Sequence, residues 1–256
     1  MVGRTDKDPM SYSVLAAAWV SIDKRESQLS ILREQMRAAE DALVSLKPEE
    51  RGPGHLVVEN MDEWYRVFDM FALEAEACLM FAAAALNTLA EAIADTWEVP
   101  RESAWSFASL RRHTKHHPES PLRPFLPRMN ALHLRVVVPR NVLAAHPPLA
   151  RGGSFVGMSA PVAFESWIFI DELIEADREA ERLRQELPSL AAIASPLHRS
   201  ELLQWAFRNA EALEGAALAN VEKYIRRFGC RVAPIEAIDE TTGLLVDLAA
   251  QVRPRL

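Results

Sequence analysis

The sequence predicts an all-α protein, an antiparallel helical bundle with long central helices. Three observations predict it: glycine is scarce, with 9 residues in 256, apolar residues recur mostly at spacings of three and four, and no segment alternates convincingly like a strand. With 49% hydrophobic and 25% charged residues, the composition is that of a globular protein and excludes wholesale disorder and collagen-like repeats. The two cysteines, Cys78 and Cys230, cannot form a disulfide framework and indicate reduced thiols in a cytoplasmic protein.

The first predicted element is one long helix from Ser11 to Leu46, preceded by a disordered N-terminus over residues 1–10. Leucine, isoleucine and methionine recur every seven residues, which gives the helix a narrow apolar seam. Pro48 ends it. A heptad seam of this kind packs inside a bundle or against a dimer partner. The seam is formed by Leu15, Ile22, Leu29, Met36 and Leu43.

The second predicted helix follows Asn60, which forms a capping-box pattern with Glu63, and continues to Trp97. Its middle, from Cys78 to Leu86, is apolar around the whole circumference, so we expect neighbours on every side and a central position in the bundle. The longest apolar run is about ten residues, short of the roughly 20 needed to cross a bilayer, so no membrane segment is expected.

Five further helical stretches are predicted after Pro100. A short helix runs from about Glu102 to His113 and is followed by a proline-broken linker. The next helix begins near Arg128 and ends at Pro147, with Pro139 inside it as a kink or a fresh start. Short connections make sequential helices antiparallel neighbours, so residues 11–256 are predicted to form a single helical domain. The remaining predicted helices are Pro161 to Leu187, Leu197 to Phe228 and Thr241 to Val252.

Positive charge is concentrated in one segment of this acidic protein, whose net charge is −7. Between Arg101 and Arg151 there are nine basic residues against two acidic ones, and five of the seven histidines lie there. A basic, imidazole-rich segment on an acidic body is expected of a protein that meets a phosphate-bearing partner on one face. The alternative is that these arginines bridge to acidic helices and neutralise the fold.

The sharpest motif is Arg140-Asn141 followed by His146, on a short and otherwise apolar helical stretch. Six positions subtend about 240° on an ideal helix, so Arg140 and His146 do not strictly share a face. His146 precedes Pro147, which biases it out of the helical region and lets its imidazole swing toward Arg140. A histidine at a helix C-terminus also has its cation stabilised by the helix dipole.

This motif resembles that of the HEPN superfamily of helical domains, in which an arginine and a following polar residue precede a histidine by a few positions. The long Ala-rich helix before it also resembles the central helix of such domains. The resemblance implies a HEPN-like core over about residues 11–150 and further packing helices over about 160–252. It also implies a dimeric, metal-independent endoribonuclease or toxin of a defence or toxin-antitoxin system, with neither cofactor nor metal.

The resemblance assigns a catalytic role to each motif residue. Arg140 would stabilise charge on the scissile phosphate, His146 would act as general acid or base, and Asn141 would orient backbone or substrate. Attack of a ribose 2′-hydroxyl on its phosphodiester needs a proton acceptor of near-neutral pKa and a fixed cation, which histidine and arginine supply.

A second basic cluster lies at the end of the short helix before Pro118. Its functional interpretation is a phosphate-contacting patch for a nucleic acid, and its structural one is a set of cations that cap a helix C-terminus. His113 and His117 have a metal-compatible spacing, but no carboxylate or cysteine completes a set, so no metal is expected. The predicted nucleic-acid-binding residues are Arg111, Arg112, Lys115, His116, His117 and, further along, Arg135.

Three interpretations remain open from the sequence, the third being a purely structural helical protein with internal ion pairs. The first is a HEPN-like protein that acts on RNA as a homodimer, with an antitoxin or another protein as a further partner. The second is a non-catalytic helical bundle that binds a protein or a nucleic acid through the basic segment. Catalysis requires Arg140 and His146 to be exposed and convergent, whereas a scaffold tolerates them buried or pointing apart.

Overall fold

A computed structural model shows an all-α fold, as the sequence predicts. The structure describes residues 9–46, 49–50, 56–57, 60–97, 99–100, 105–145, 163–164, 170–186, 199–231 and 234–252. Within these ranges the only strands are two antiparallel ladders of two residues per strand, which join helices. Helix packing therefore builds the core.

The first two helices form a long antiparallel hairpin. Helix α1 (Pro9–Ser45) is joined to α2 (Met61–Trp97) through the ladder of β1 (Glu49–Glu50) and β2 (Leu56–Val57). The predicted long first helix is confirmed, although it begins at Pro9, inside the segment expected to be disordered; residues 1–8 lie outside the described residues.

The heptad seam of α1 is buried within the chain. Ile22, Leu29 and Met36 are each at most 1% exposed, and α1 packs along α2. The sequence allowed this seam to pack either inside the bundle or against a dimer partner. In the structure it packs inside the bundle, against α2. The capping box of α2 is confirmed as well, since Oδ1 of Asn60 accepts a hydrogen bond of 3.1 Å from the Glu63 amide.

Helix α2 is central, but it is covered on only part of its circumference. Its buried face contacts α1, the last helix and the helical segment that carries Arg140. The expectation that neighbours cover its apolar middle on every side is wrong, because Met80 and Phe81 remain exposed. By length and composition α2 is apolar enough to cross a bilayer, and 61% of its most apolar window is buried in the fold.

Helix α3 (Phe107–His116) begins five residues later than the sequence predicts. Ser106 has an extended backbone, and its hydroxyl accepts a hydrogen bond from the Ser109 amide, which sets the N-terminus there. The Phe107 amide donates to Oδ1 of Asn87 at 3.0 Å, so the start of α3 is fixed to α2.

Residues 126–145 form one continuous helical segment. After a 3₁₀ turn (Arg123–Phe125) come α4 (Leu126–Leu132), a π-helical turn (His133–Val137) and α5 (Val138–Ala145). Pro139 is thus not a fresh helix start; it lies just after a π-helical turn inside a continuous helical segment. It lacks the amide that would bond the Arg135 carbonyl, and its ring crowds that carbonyl, so the wider π turn just before it removes both problems.

The C-terminal elements differ from the prediction in their boundaries. Ala163–Phe164 is a strand (β3) paired with Cys230–Arg231 (β4), although a helix was expected from Pro161. The single helix expected from Leu197 to Phe228 is interrupted after Arg208, where a 3₁₀ turn and the extended Leu213 and Glu214 lead to Gly215, whose φ is 56°. The observed helices are α6 (Ile170–Glu186), α7 (Arg199–Arg208), a 3₁₀ turn (Ala210–Ala212), α8 (Gly215–Phe228) and α9 (Pro234–Val252).

Helix α9 closes the same bundle that α1 and α2 begin. Arg128 pairs with Asp247, and Arg135 pairs with Glu240. The two arginines are seven residues apart on segment 126–145, and the two carboxylates are seven residues apart on α9 but in the reverse order. Helix α9 therefore runs antiparallel to segment 126–145. On its other side, Nη2 of Arg33 in α1 donates to Asp239 at 3.0 Å.

Candidate functional site

The described part of the predicted HEPN-like motif lies on α5. Arg140 and Asn141 are both partly exposed, and Nη1 of Arg140 donates to Oδ1 of Asn141 at 2.9 Å. Helix α5 packs against α2 and α8, which fixes the backbone that carries these side chains. His146 directly follows the last described residue of α5 and lies outside the described residues, so its side chain is not placed relative to Arg140.

Arg140 differs from the other two arginines of segment 126–145 in its partners. The guanidinium groups of Arg128 and Arg135 are paired with carboxylates of α9. Within the described ranges no carboxylate lies at ion-pairing distance from Arg140, and its buried Nε makes no hydrogen bond. Its charge is therefore not neutralised by the described residues, which is the arrangement that an anionic ligand requires.

Arg135 is held between helices. Besides its ion pair with Glu240, its Nη2 donates to the carbonyl oxygen of Phe207 at the end of α7. Burial lowers the pKa of Arg135, against the attraction of nearby glutamates. Arg128 and Arg135 thus bridge to an acidic helix and are neutralised there, which is the alternative that the sequence left open for the basic segment. The predicted binding of nucleic acid by Arg135 stays a prediction.

The basic cluster of α3 divides into an inner and an outer part. Arg111 is partly buried and donates from Nη1 to Oδ1 of Asn130 at 3.0 Å, whereas Arg112, Lys115 and His116 are exposed. Since this cluster occupies the last turn and a half of α3, the exposed cations also lie where the helix dipole favours positive charge. The outer three are thus available to a phosphate-bearing partner.

His117 closes the C-terminus of α3. Its ring stacks on His113 with 4.1 Å between centroids, and its Nδ1 lies 3.0 Å from Oε1 of Glu119. Burial, and then the proximity of His117, lower the pKa of His113. Both contacts are local, so His117 has a structural role at the helix end whether or not it also contacts nucleic acid.

A buried polar cluster behind α3 is the main feature that sequence reasoning missed. His133 is 3% exposed and its Nε2 lies 3.0 Å from Oε2 of Glu222 on α8, while Asn130 donates to the Leu213 carbonyl at 3.4 Å. Together with Arg111, these side chains join α3, the π turn and α8. The available signal was a histidine and an asparagine inside the apolar run from Met129 to Val138.

The protonation of this cluster follows from its burial. Loss of water lowers the pKa of His133, although the hydrogen bond with Glu222 opposes that effect. The hydrogen bond from His133, followed by that from Arg226, lowers the pKa of Glu222 to about 2. At neutral pH the cluster therefore holds a neutral imidazole that donates from Nε2 to a charged carboxylate.

An exposed tryptophan beside the basic helix was also missed. Trp105 is 70% exposed and precedes the Ser106 cap of α3. The helix predicted from about Glu102 to His113 would have included Trp105, whereas the structure places it before the first residue of α3. An exposed indole next to exposed cations is a combination that stacks on unpaired bases.

Among the described residues no group of three His, Cys, Asp or Glu side chains is placed to hold a metal ion. Comparison of the chain with protein-family models, with curated proteins and with solved structures found no match.

Proposed function

We propose that this protein is a HEPN-like protein directed at RNA, acting as a metal-independent endoribonuclease of a defence or toxin-antitoxin system. The observation that carries the proposal is the state of Arg140: a partly exposed residue whose guanidinium is bonded to Asn141 and has no carboxylate partner among the described residues. It lies on the helix that leads directly to His146.

The chemistry assigns one task to each residue of the motif. His146 takes the proton of the ribose 2′-hydroxyl or gives one to the leaving 5′-oxygen, because imidazole titrates near neutral pH. Arg140 compensates the negative charge that develops on the pentacoordinate phosphorus. Asn141 positions the guanidinium, since its Oδ1 holds one Nη1 proton at 2.9 Å and leaves the other Nη protons for phosphate oxygens.

Binding of the RNA chain is assigned to the outer face of α3. Arg112, Lys115 and His116 are exposed and would contact phosphates without reading sequence, and Trp105 would stack on an unpaired base. Arg111 and Arg135 are engaged in contacts inside the fold, and the exposed His117 is engaged in local contacts with His113 and Glu119. We therefore expect these three residues to position their elements first and to bind RNA only secondarily.

Dimerisation remains part of the proposal, because a second motif helix would complete a symmetric site. The seam of α1 does not offer the surface for it, since α2 already covers Ile22, Leu29 and Met36. An antitoxin or another protein as a further partner, and a cytoplasmic location, also stay predictions.

The test is cleavage of a mixed-sequence RNA in EDTA by the purified protein and by Arg140→Ala, Asn141→Ala and His146→Ala variants. We expect the parent to leave 2′,3′-cyclic phosphate ends and the arginine and histidine variants to lose about 100-fold or more in rate. Asn141→Ala should lose less, because its part is to position Arg140.

Arg128→Ala is the matched control. It removes an arginine from the same helical segment, seven residues from Arg135, but one that is neutralised by Asp247. It should cleave RNA like the parent. Cleavage that is absent, or that is equal in all variants, contradicts the proposal and favours the second function, a non-catalytic bundle that binds nucleic acid or protein; RNA binding retained without cleavage identifies that case.

A further inference from the structure

One face of α2 carries an apolar stripe that the fold leaves exposed. Met70 is 52% exposed, Leu73 60% and Met80 44%, and the small side chains of Ala77 and Ala84 lie partly exposed between and beyond them. These positions are separated by steps of three and four residues, so they form one straight seam over two heptads. We call Met70, Leu73, Ala77, Met80 and Ala84 the α2 stripe.

The stripe has the form of a coiled-coil seam with large and small side chains in turn. On the opposite side of α2, Phe71, Leu79 and Leu86 are completely buried in the core, so the helix cannot rotate to hide the stripe. An exposed seam of this length is expected where another helix docks. Phe81, which is 37% exposed, widens the apolar surface on one edge.

The charges around the stripe are acidic and identify the chemistry of the helix that would fit. Acidic residues of α2 precede the first residue of the stripe, flank the stripe on both edges and follow its last residue. Arg66 is the one basic residue of α2. The acidic residues are Asp62, Glu63, Asp69, Glu74 and Glu91. Asp69 and Glu91 are exposed and form no ion pair within the described ranges.

We propose that the α2 stripe is the docking site for an amphipathic helix with basic flanks, supplied by a partner protein. Apolar side chains of that helix would fill the seam, and its lysines or arginines at flanking positions would pair with Asp69, Glu74 and Glu91. Such a helix buries the exposed methionine and leucine side chains and relieves the repulsion among the carboxylates.

The acidic residues around the stripe make two other occupants less favourable than a basic helix: a second copy of the chain and an anionic bilayer. A second copy docked stripe to stripe about a two-fold axis at Ala77 would bring two equally acidic edges together, with Glu74 of each copy beside the seam. A bilayer with anionic lipids would repel the same carboxylates. A basic helix meets neither penalty.

The test uses the full chain and two synthetic three-heptad peptides with identical Leu seams, one with Lys and one with Glu at the flanking positions. We expect the Lys peptide to bind with an affinity that falls as salt rises, and the Glu peptide not to bind. In the double variant Leu73→Glu/Met80→Glu, binding of the Lys peptide should weaken about tenfold or more.

Two controls make the result specific to the stripe. Val20→Glu on α1 and Val246→Glu on α9 change valines that are 62% and 44% exposed elsewhere, and should leave binding unchanged. The charge reversal Asp69→Lys/Glu74→Lys should weaken the Lys peptide and admit the Glu peptide. Circular dichroism and the urea midpoint establish that each variant is folded.

Several results would overturn the proposal. These are equal binding of both peptides, no binding of either, or loss of binding in the valine controls. Sedimentation that shows a dimer converted to a monomer by Leu73→Glu/Met80→Glu would assign the stripe to a second copy. Binding to vesicles with phosphatidylglycerol that the same variant abolishes would assign it to a membrane. None of these outcomes depends on RNA cleavage.

Discussion

Nε2 of His133 in the π turn lies 3.0 Å from Oε2 of Glu222 on α8, and the imidazole is almost completely buried. This contact joins the helical segment that carries Arg140 to α8. Because the imidazole is kept neutral by burial and the carboxylate is kept charged by its hydrogen bonds, the contact makes the stability of the fold dependent on pH.

The pH dependence has the same sign for both groups. The pKa of His133 is lowered in the fold. At a pH below the ordinary histidine pKa of 6.5, the unfolded chain therefore binds a proton more readily than the folded chain, and the free energy of unfolding decreases as the pH falls. The pKa of Glu222 is lowered from 4.5 to about 2, so its contribution is full above 4.5 and is lost as the pH approaches 2.

We therefore expect the free energy of unfolding to decrease as the pH falls from 7 to 5, and to decrease further toward 2. Urea denaturation at each pH measures it. In His133→Gln the first decrease should become smaller, with the remainder due to His113, whose pKa is also lowered in the fold. In Glu222→Gln the second should shrink by roughly 1–2 kcal/mol, because solvent screens part of the interactions of the partly exposed Glu222. A parent protein with equal stability at pH 7 and pH 5 contradicts the prediction.

The two ion pairs of α9 should differ in their contribution to stability. Arg135 and Glu240 are 21% and 34% exposed, and Arg135 also donates to the Phe207 carbonyl, whereas Asp247 is 53% exposed beside Arg128. We expect Glu240→Ala to cost about 1–3 kcal/mol because it leaves a partly buried guanidinium without its carboxylate. Asp247→Ala should cost about 0–1 kcal/mol.

Chemical denaturation of the two variants measures this difference. Arg128→Ala/Asp247→Ala and Arg135→Ala/Glu240→Ala complete a double-mutant cycle for each pair. Equal losses for Glu240→Ala and Asp247→Ala would mean that burial of Arg135 does not strengthen its pair.

The thiol of Cys78 should be inert in the folded protein. It is 1% exposed, lies in the core beside α1, and burial raises its pKa to about 12. Reaction requires the thiolate, which is scarce at pH 8 for such a group. In a Cys230→Ser background, Ellman's reagent should react with one thiol per chain only after denaturation; fast reaction of the native protein would show that the hairpin of α1 and α2 opens.

The exposed cations of α3 should set the salt dependence of RNA binding. Arg112→Ala and Lys115→Ala should each weaken binding to a single-stranded RNA about equally for any sequence, and each should reduce the salt slope by about 0.7. Fluorescence anisotropy over a salt series measures both quantities. Trp105→Ala should weaken binding by about 1–3 kcal/mol without changing the slope.

The matched control for these variants is Arg128→Ala, whose cation is neutralised by Asp247. It should bind RNA like the parent. If it weakens binding as much as Arg112→Ala does, then the effect is one of overall charge and the outer face of α3 is not the binding surface.

The class of the fold and its strongest local features are predictable from the sequence. Spacings of three and four gave the helices, the Asn60 and Glu63 pattern placed the start of α2, and the heptad seam of α1 predicted a packed face. These features were predictable because each is decided by residues within a few turns of one another. The resemblance to a HEPN-like motif rests on the same local information.

Which charges are paired and which helix faces are buried became visible only in the folded structure. Arg111 and Arg112 are adjacent in sequence, yet one bonds Asn130 and the other faces solvent, and Arg128 and Arg135 find carboxylates more than a hundred residues away. The sequence of α2, whose middle is apolar around the whole circumference, likewise did not predict that one stripe of it would be exposed. Pairing and burial depend on partners distant in the chain, and local periodicity carries no information about which distant helix supplies them.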